Sequence, residues 1–225
     1  VKSPVEILFG EGEDDLYGAY RDYYISDEIK TVHISDGITS IGNNAFNLCT
    51  NLSMDLVIPS TVTSIGSQAF RNTGISSLTL NEGLQTIGNT AFSNLANVDG
   101  KLIIPSTVTS IGQNAFFRSD ALSSNGYGFT SLILRQGSKS LTIGYRAFRG
   151  NNTLNGHLTI PNHVTTIADE AFYGCYVDNP GRLSIGTGVT SLGNNVFTDT
   201  FLEGMPTFKR FECHRLTPPT IVSNV

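Results

Sequence analysis

A nine-residue string recurs along most of this chain, and that recurrence constrains the fold more than any other feature. The copies read "ITSIGNNAF" ending at Phe46, "VTSIGSQAF" at Phe70, "LQTIGNTAF" at Phe92 and "VTSIGQNAF" at Phe116. They continue as "LTIGYRAF" at Phe148, "VTTIADEAF" at Phe172 and "VTSLGNNVF" at Phe197. The seven phenylalanines are 24, 22, 24, 32, 24 and 25 residues apart. A period in the twenties belongs to a chain wound into coils. Each coil is too small to bury its own apolar face and relies on its neighbours to do so.

A short alternating segment precedes each copy: "TVHIS" (31–35), "DLVIP" (55–59), "SLTLN" (77–81), "KLIIP" (101–105), "SLILR" (131–135), "HLTIP" (157–161) and "RLSIG" (182–186). An eighth, "RFECH" (210–214), follows the last copy. Two apolar residues one apart, flanked by polar ones, predict a strand with one buried face. In register, eight such strands make a parallel sheet about 34 Å long. In the coil 75–92 the pattern points Ile75, Leu78, Leu80, Leu84, Ile87, Ala91 and Phe92 inward. Two coil types alternate. The longer ones carry "LSMDLVIP" (52–59), "VDGKLIIP" (98–105) and "LNGHLTIP" (154–161), and their strands end in Pro59, Pro105 and Pro161, where no ladder donor is expected. The motif glycine becomes Ala168 in the sixth copy. Alanine is costly at positive φ, so this position asks for a small residue rather than a left-handed one.

The pattern I-x-x-L-x-L followed by V-T-S-I-G-x-x-A-F, at times with Cys three residues on, resembles the BspA-like (Treponema pallidum-type) leucine-rich repeats over residues 29–216. The resemblance implies an α/β-type repeat solenoid: a right-handed superhelix with one parallel sheet of about eight short strands on its concave face. Short bridges and 3₁₀ or helical turns would form the convex face. It further implies a secreted or surface-attached protein of a host-associated bacterium, with an adhesin-like role and no catalysis.

A solenoid needs its ends covered. Residues 1–28 are the expected N-terminal cap, with Leu16, Tyr20, Tyr23 and Tyr24 at helical spacing. Residues 217–225 are expected to close the last coil, since Pro218 and Pro219 cannot continue a ladder. The one long interval places an inserted loop at 118–131, with Tyr127 between two glycines as an exposed aromatic; a tolerated surface insertion is the plainer reading. Val1 in place of Met is expected to mark a removed leader.

Charge and motif content exclude several classes. Net charge is −5, and residues 1–28 hold eight acids against two bases, which leaves no footprint for nucleic acid. No apolar run is long enough to span a membrane. No nucleophile elbow, Walker loop, zincin or dinucleotide fingerprint occurs, and "GEGEDD" (10–15) fits no EF-hand. The chain is therefore expected to be neither an enzyme nor a cofactor or metal protein. Cys49 and Cys175 are five coils apart, roughly 24 Å, too far for a disulfide. Cys213 also lies out of reach of Cys175, and all three are expected as buried free thiols.

Any site must lie where the copies differ. On the outward face of the strands the first column reads Thr31, Asp55, Ser77, Lys101, Ser131, His157, Arg182, Arg210. The middle column reads His33, Val57, Thr79, Ile103, Ile133, Thr159, Ser184, Glu212. Lys101, His157, Arg182 and Arg210, with Arg135 nearby, form a basic stripe roughly 20 Å long. Ile103 and Ile133 offer apolar contacts beside it, and Tyr127 a third. These residues are the candidate binding set. A protein ligand is the first expectation, and an anionic glycan or a purely structural spacer the alternatives.

Overall fold

The computed structural model describes residues 28–119, 122, 126–175 and 182–198, and the backbone of the strands at 210–213 and 220–221; the expected cap helix lies outside these residues. Three parallel stacks of backbone run along the coils. The first is an unbroken eight-stranded sheet of very short strands: β1 (Ser40–Ile41), β3 (Ser64–Ile65), β5 (Thr86–Ile87), β7 (Ser110–Ile111), β9 (Leu141–Ile143), β11 (Val164–Ile167), β13 (Ser191–Leu192) and β15 (Thr220–Ile221). Its rungs are the T-S-I of the repeated motif, with the hydroxyl side outward and the isoleucines buried. The last rung, Thr220–Ile221, lies beyond Pro218 and Pro219, so the ladder resumes past the prolines.

The second stack holds the alternating strands, and it differs from expectation in one respect. Strands β2 (Asp55–Ile58), β4 (Ser77–Leu80), β6 (Asp99–Ile104), β8 (Gly128–Leu134), β10 (Leu158–Ile160), β12 (Arg182–Ile185) and β14 (Arg210–Cys213) are all present and parallel. They form three separate ladders, β2–β4, β6–β8 and β10–β12–β14, rather than one sheet of eight. Each ladder opens on a strand that ends in proline: Pro59, Pro105 or Pro161. Elsewhere the residue at that position donates back to the preceding coil, as Arg135 N–H does to Ile104 (3.1 Å) and Gly186 N–H to Ile160 (2.8 Å). Proline has no such donor, and the ladder stops there. Residues 31–35 alternate outward and inward as expected without joining a ladder.

The third stack is the phenylalanine turn. The second residue after the motif glycine is left-handed in all seven copies: Asn44, Gln68, Thr90, Asn114, Arg146, Glu170 and Asn195, with φ between 53° and 59°. That reversal aims alternate amides along the solenoid. Asn44, Phe46 and Leu48 donate to Ser67, Ala69 and Arg71 of the next coil, while Ala45, Asn47 and Cys49 donate three residues back within their own. The stack is thus a ladder of single i→i−3 turns. The motif glycine is not left-handed, and its requirement is steric. A Cβ on Gly66 would come within 2.6 Å of the backbone of Gly42 and Asn43. The coil that carries Ala168 also has a bulge, between Val164 and Thr166 of β11.

Inside the coils the phenylalanine rings form one column. Centroids from Phe46 through Phe197 are 5.0–5.6 Å apart and interplanar angles are 0–16°. Parallel ladders rise about 4.8 Å per rung. All seven residues expected inward in the coil 75–92 are buried. Phe197 and Leu192, in the last copy, are only partly so. The described residues of the long interval are held by the coils: Gly128–Ser131 extend β8, Phe129 is buried edge-on against Phe116 (6.3 Å), and Arg118 is buried with its guanidinium donating to the carbonyls of Leu95 and Leu122 (2.8 Å each).

Candidate functional site

The strand register sets the outward columns as expected. Lys101 pairs with Ser131, Ile103 with Ile133, Val57 with Thr79, Thr159 with Ser184, and Arg182 with Arg210. Lys101 and His157 are exposed on the first column, while Arg182 and Arg210 hold the same register, with side chains outside the described residues. Ser131 separates Lys101 from His157, so the basic column is interrupted once. On the middle column Val57 is 51% exposed, Ile133 is 42% exposed and Ile103 is half-buried. Val57, Asp55, His33 and Met54 also line an open hollow of about 440 Å³ at the N-terminal end of this face.

Arg135 sits differently from the other cations. Its guanidinium lies 3.0 Å from Glu82, two coils earlier, and reaches there across Ser106. Ser106 donates its amide (3.2 Å) and hydroxyl (2.9 Å) to the same carboxylate. Burial pushes the Glu82 carboxyl up, but Arg135 and Ser106 together hold it below the ordinary value. Arg135 therefore clasps three coils at the edge of the face and does not extend the stripe. Tyr127 is 49% exposed at the start of β8, between Gly126 and Gly128, both at positive φ.

A second charged cluster, on the turn side, was not foreseen. Glu170 accepts from Arg146 Nε (2.9 Å) and Nη2 (3.2 Å) and from Arg149, and the two guanidiniums lie over the rings of Tyr145 (4.6 Å) and Tyr173 (4.4 Å). Arg146 above all holds the Glu170 carboxyl below its usual range. The signal was present in "GYRAFRG" and "ADEAFYG", where charge replaces the asparagine or small residue of other copies. Its geometry is that of a clamp between neighbouring coils.

Three residues after the phenylalanine, several copies place a buried polar side chain or thiol that bonds a backbone carbonyl, while the third copy has buried Leu95 there. Thr73 Oγ1 donates to Phe70 O (2.9 Å), Asn151 Nδ2 to Phe148 O (2.7 Å) and to Phe116 O (2.8 Å), and Cys175 Sγ to Phe148 O (2.9 Å). Cys49 and Cys175 are buried thiols that form no disulfide, and burial pushes the Cys175 thiol up to about 12. Cys213 has its side chain outside the described residues. No cluster of His, Cys, Asp or Glu among the described residues has the arrangement of a metal site.

The repeated sequence matches one family model, the BspA type leucine rich repeat region, in six copies over residues 20–132 and 124–210. The chain belongs to this family. BspA-type proteins form a family of surface proteins. No functionally curated protein matches the chain. Among solved structures it is similar to a leucine-rich cell surface protein of Faecalibacterium prausnitzii, at 19% identity and a TM-score of 0.40, over 86% of this chain and 62% of that one. It is also similar to a leucine-rich repeat protein of Eubacterium ventriosum (22% identity, TM-score 0.42, 85% and 62%) and one of Bacteroides ovatus (18%, 0.42, 76% and 49%). The chain spans about three fifths of the first two.

Proposed function

We propose that this chain is the non-catalytic binding module of a secreted or surface-attached protein, and that it recognises a protein partner through its strand face. One observation carries the reading. The described residues expose three large apolar side chains, Val57, Tyr127 and Ile133, and two of them stand on one column with half-buried Ile103 between. Exposed apolar side chains gathered on one face beside charge mark contact surfaces more often than isolated ones do. Lys101, His157, Arg182 and Arg210 add a positive edge suited to an acidic partner segment. The same edge supports a second reading, an anionic glycan. The test is binding to a panel of extracellular-matrix proteins alongside an array of sulfated and sialylated glycans. Saturable binding to a panel protein that weakens on Arg182→Glu/Arg210→Glu supports the first reading. Binding confined to the array supports the second. No binding on either surface leaves a structural spacer.

A further inference from the structure

Asn155 and Gly156 lie just before strand β10, and both are exposed. Gly156 is left-handed (φ 89°), and a Cβ on it would meet no atom within 4 Å. The backbone of Asn155 is pinned, its amide donating to Thr130 O (2.9 Å). Its side chain and the Gly156 amide make no hydrogen bond to any described residue. Asparagines of the turn column are tied instead. Asn43 and Asn89 accept through Oδ1 from the amides of Ser67 (2.7 Å) and Gln113 (2.9 Å), and the amides that follow them, of Asn44 and Thr90, donate to the next coil. An earlier coil shows what the free pair can do. There Asp99–Gly100 occupies the same turn: the Asp99 amide donates to Ser76 O (2.9 Å), Gly100 has φ 87°, and the Gly100 amide donates to Asp99 Oδ1 (2.6 Å). From this backbone a side chain of this length brings its Cγ, one bond behind the oxygen, against the following amide nitrogen. Asn155 has the same reach, and an exposed side chain samples its rotamers within nanoseconds.

We propose that Asn155 is a self-modification site: in the folded protein its side-chain amide is converted to a carboxylate through attack by the amide nitrogen of Gly156. The Gly156 nitrogen bonds to Asn155 Cγ, the Cγ–Nδ2 bond breaks, and Nδ2 leaves as ammonia with the Gly156 amide proton, closing a cyclic imide. Water then opens the ring. Opening at Cγ gives aspartate, and opening at the main-chain carbonyl gives isoaspartate, with the chain continuing through Cγ. One water is consumed and one ammonia released, with no oxidation or reduction. Glycine permits the closure, because no side chain crowds its nitrogen and the space around it is open. The new carboxylate is charged at neutral pH and stands two residues before His157 of the basic column. The earlier coil already carries that arrangement, with Asp99 two residues before Lys101. An aged chain therefore loses part of its positive edge. That consequence for recognition rests on the strand-face reading; the conversion itself does not.

The test is ageing of the full chain at neutral pH and body temperature, folded and in urea. Asn125→Gln in every sample silences the chain's other Asn-Gly, whose asparagine lies outside the described residues. Peptide mapping by mass spectrometry locates the conversion, and an isoaspartyl methyltransferase counts the isoaspartate. The folded chain should gain both products at residue 155, at a rate within about 10-fold of the unfolded chain, since no contact holds the reacting atoms apart. Asn155→Gln, whose longer side chain closes its ring far more slowly, should gain neither. Asn155→Asp should co-elute on anion exchange with the aspartate product of the aged parent. Circular dichroism on each variant confirms the fold. No conversion at residue 155 in the folded chain, or conversion more than about 10-fold slower than in urea, overturns the proposal. So does an acidic species that forms equally fast in Asn155→Gln. Panel binding plays no part in this measurement, so failure of the conversion leaves the protein-binding reading standing.

Discussion

Truncating one central ring of the phenylalanine column is the sharpest test of what holds the coils together. Phe116 is 2% exposed and touches three rings: Phe92 at 5.4 Å, Phe148 at 5.2 Å and Phe129 edge-on at 6.3 Å. Phenylalanine to alanine in a core costs about 3–5 kcal/mol. Three ring pairs, each adding about 0.5–1.5 kcal/mol beyond area burial, place Phe116→Ala at the upper end, about 4–5 kcal/mol. Phe116→Leu keeps most of the apolar volume and loses only the ring geometry, at about 2 kcal/mol. Urea unfolding followed by circular dichroism reads both, and a split transition in the alanine variant would mean that the two halves have uncoupled. A double-mutant cycle of Phe116 and Phe148 should give a coupling of about 1 kcal/mol. A neutral Phe116→Leu, or an alanine variant costing less than about 2 kcal/mol, would refute the account of the column.

Other outcomes follow from single positions. Thr90 is β-branched and left-handed at φ 54°, so Thr90→Asn should stabilise by about 0.5–1 kcal/mol, measured as a rise in Tm. Gly66→Ala forces a Cβ into the preceding coil and should destabilise by about 1–3 kcal/mol, read by urea unfolding. His163 is buried against Gly137, and burial lowers its pKa. The unfolded chain therefore takes up the proton first. Stability should fall as pH drops below about 6.5, by at most about 1.4 kcal/mol per pH unit, and His163→Leu should flatten that slope. Glu170 has its folded pKa depressed, so its contribution is present above its ordinary value of 4.5 and is lost as pH falls through the folded value. Glu170→Gln should cost about 1 kcal/mol at pH 7 and nothing measurable at low pH.

Much of this fold is legible because the chain states it seven times. Repetition gives the coil length, the inward residues and the strand columns, and the outward register of Lys101 and Ile133 follows by counting. The break-up of the strand sheet was also written in the sequence, in Pro59, Pro105 and Pro161, but its consequence needs the direction of the ladder bonds. The left-handed column was less visible. Only Asn44, Asn114 and Asn195 carry the residue type that favours it, while Arg146, Glu170 and Thr90 adopt it because the stack imposes it. Contacts that leave the repeat's own columns were not legible. The Glu82–Arg135 pair joins residues 53 apart in sequence, and Phe129 enters the core from a segment that matches no copy. The register of the outward columns therefore follows by counting, while the state of Arg135 depended on a neighbour two coils away.

The central claim is that the repeated motif is scaffold and that recognition lies on the strands. Binding to the matrix-protein panel by two exposed-surface variants tests it most directly. Lys101→Glu/Ile133→Glu alters the strand face, and Gln113→Arg alters the turn face within a motif copy. Both should keep the parent Tm. The account predicts that any panel member bound by the parent is lost by at least 10-fold in the strand-face variant and retained in the turn-face one. The reverse pattern would contradict it.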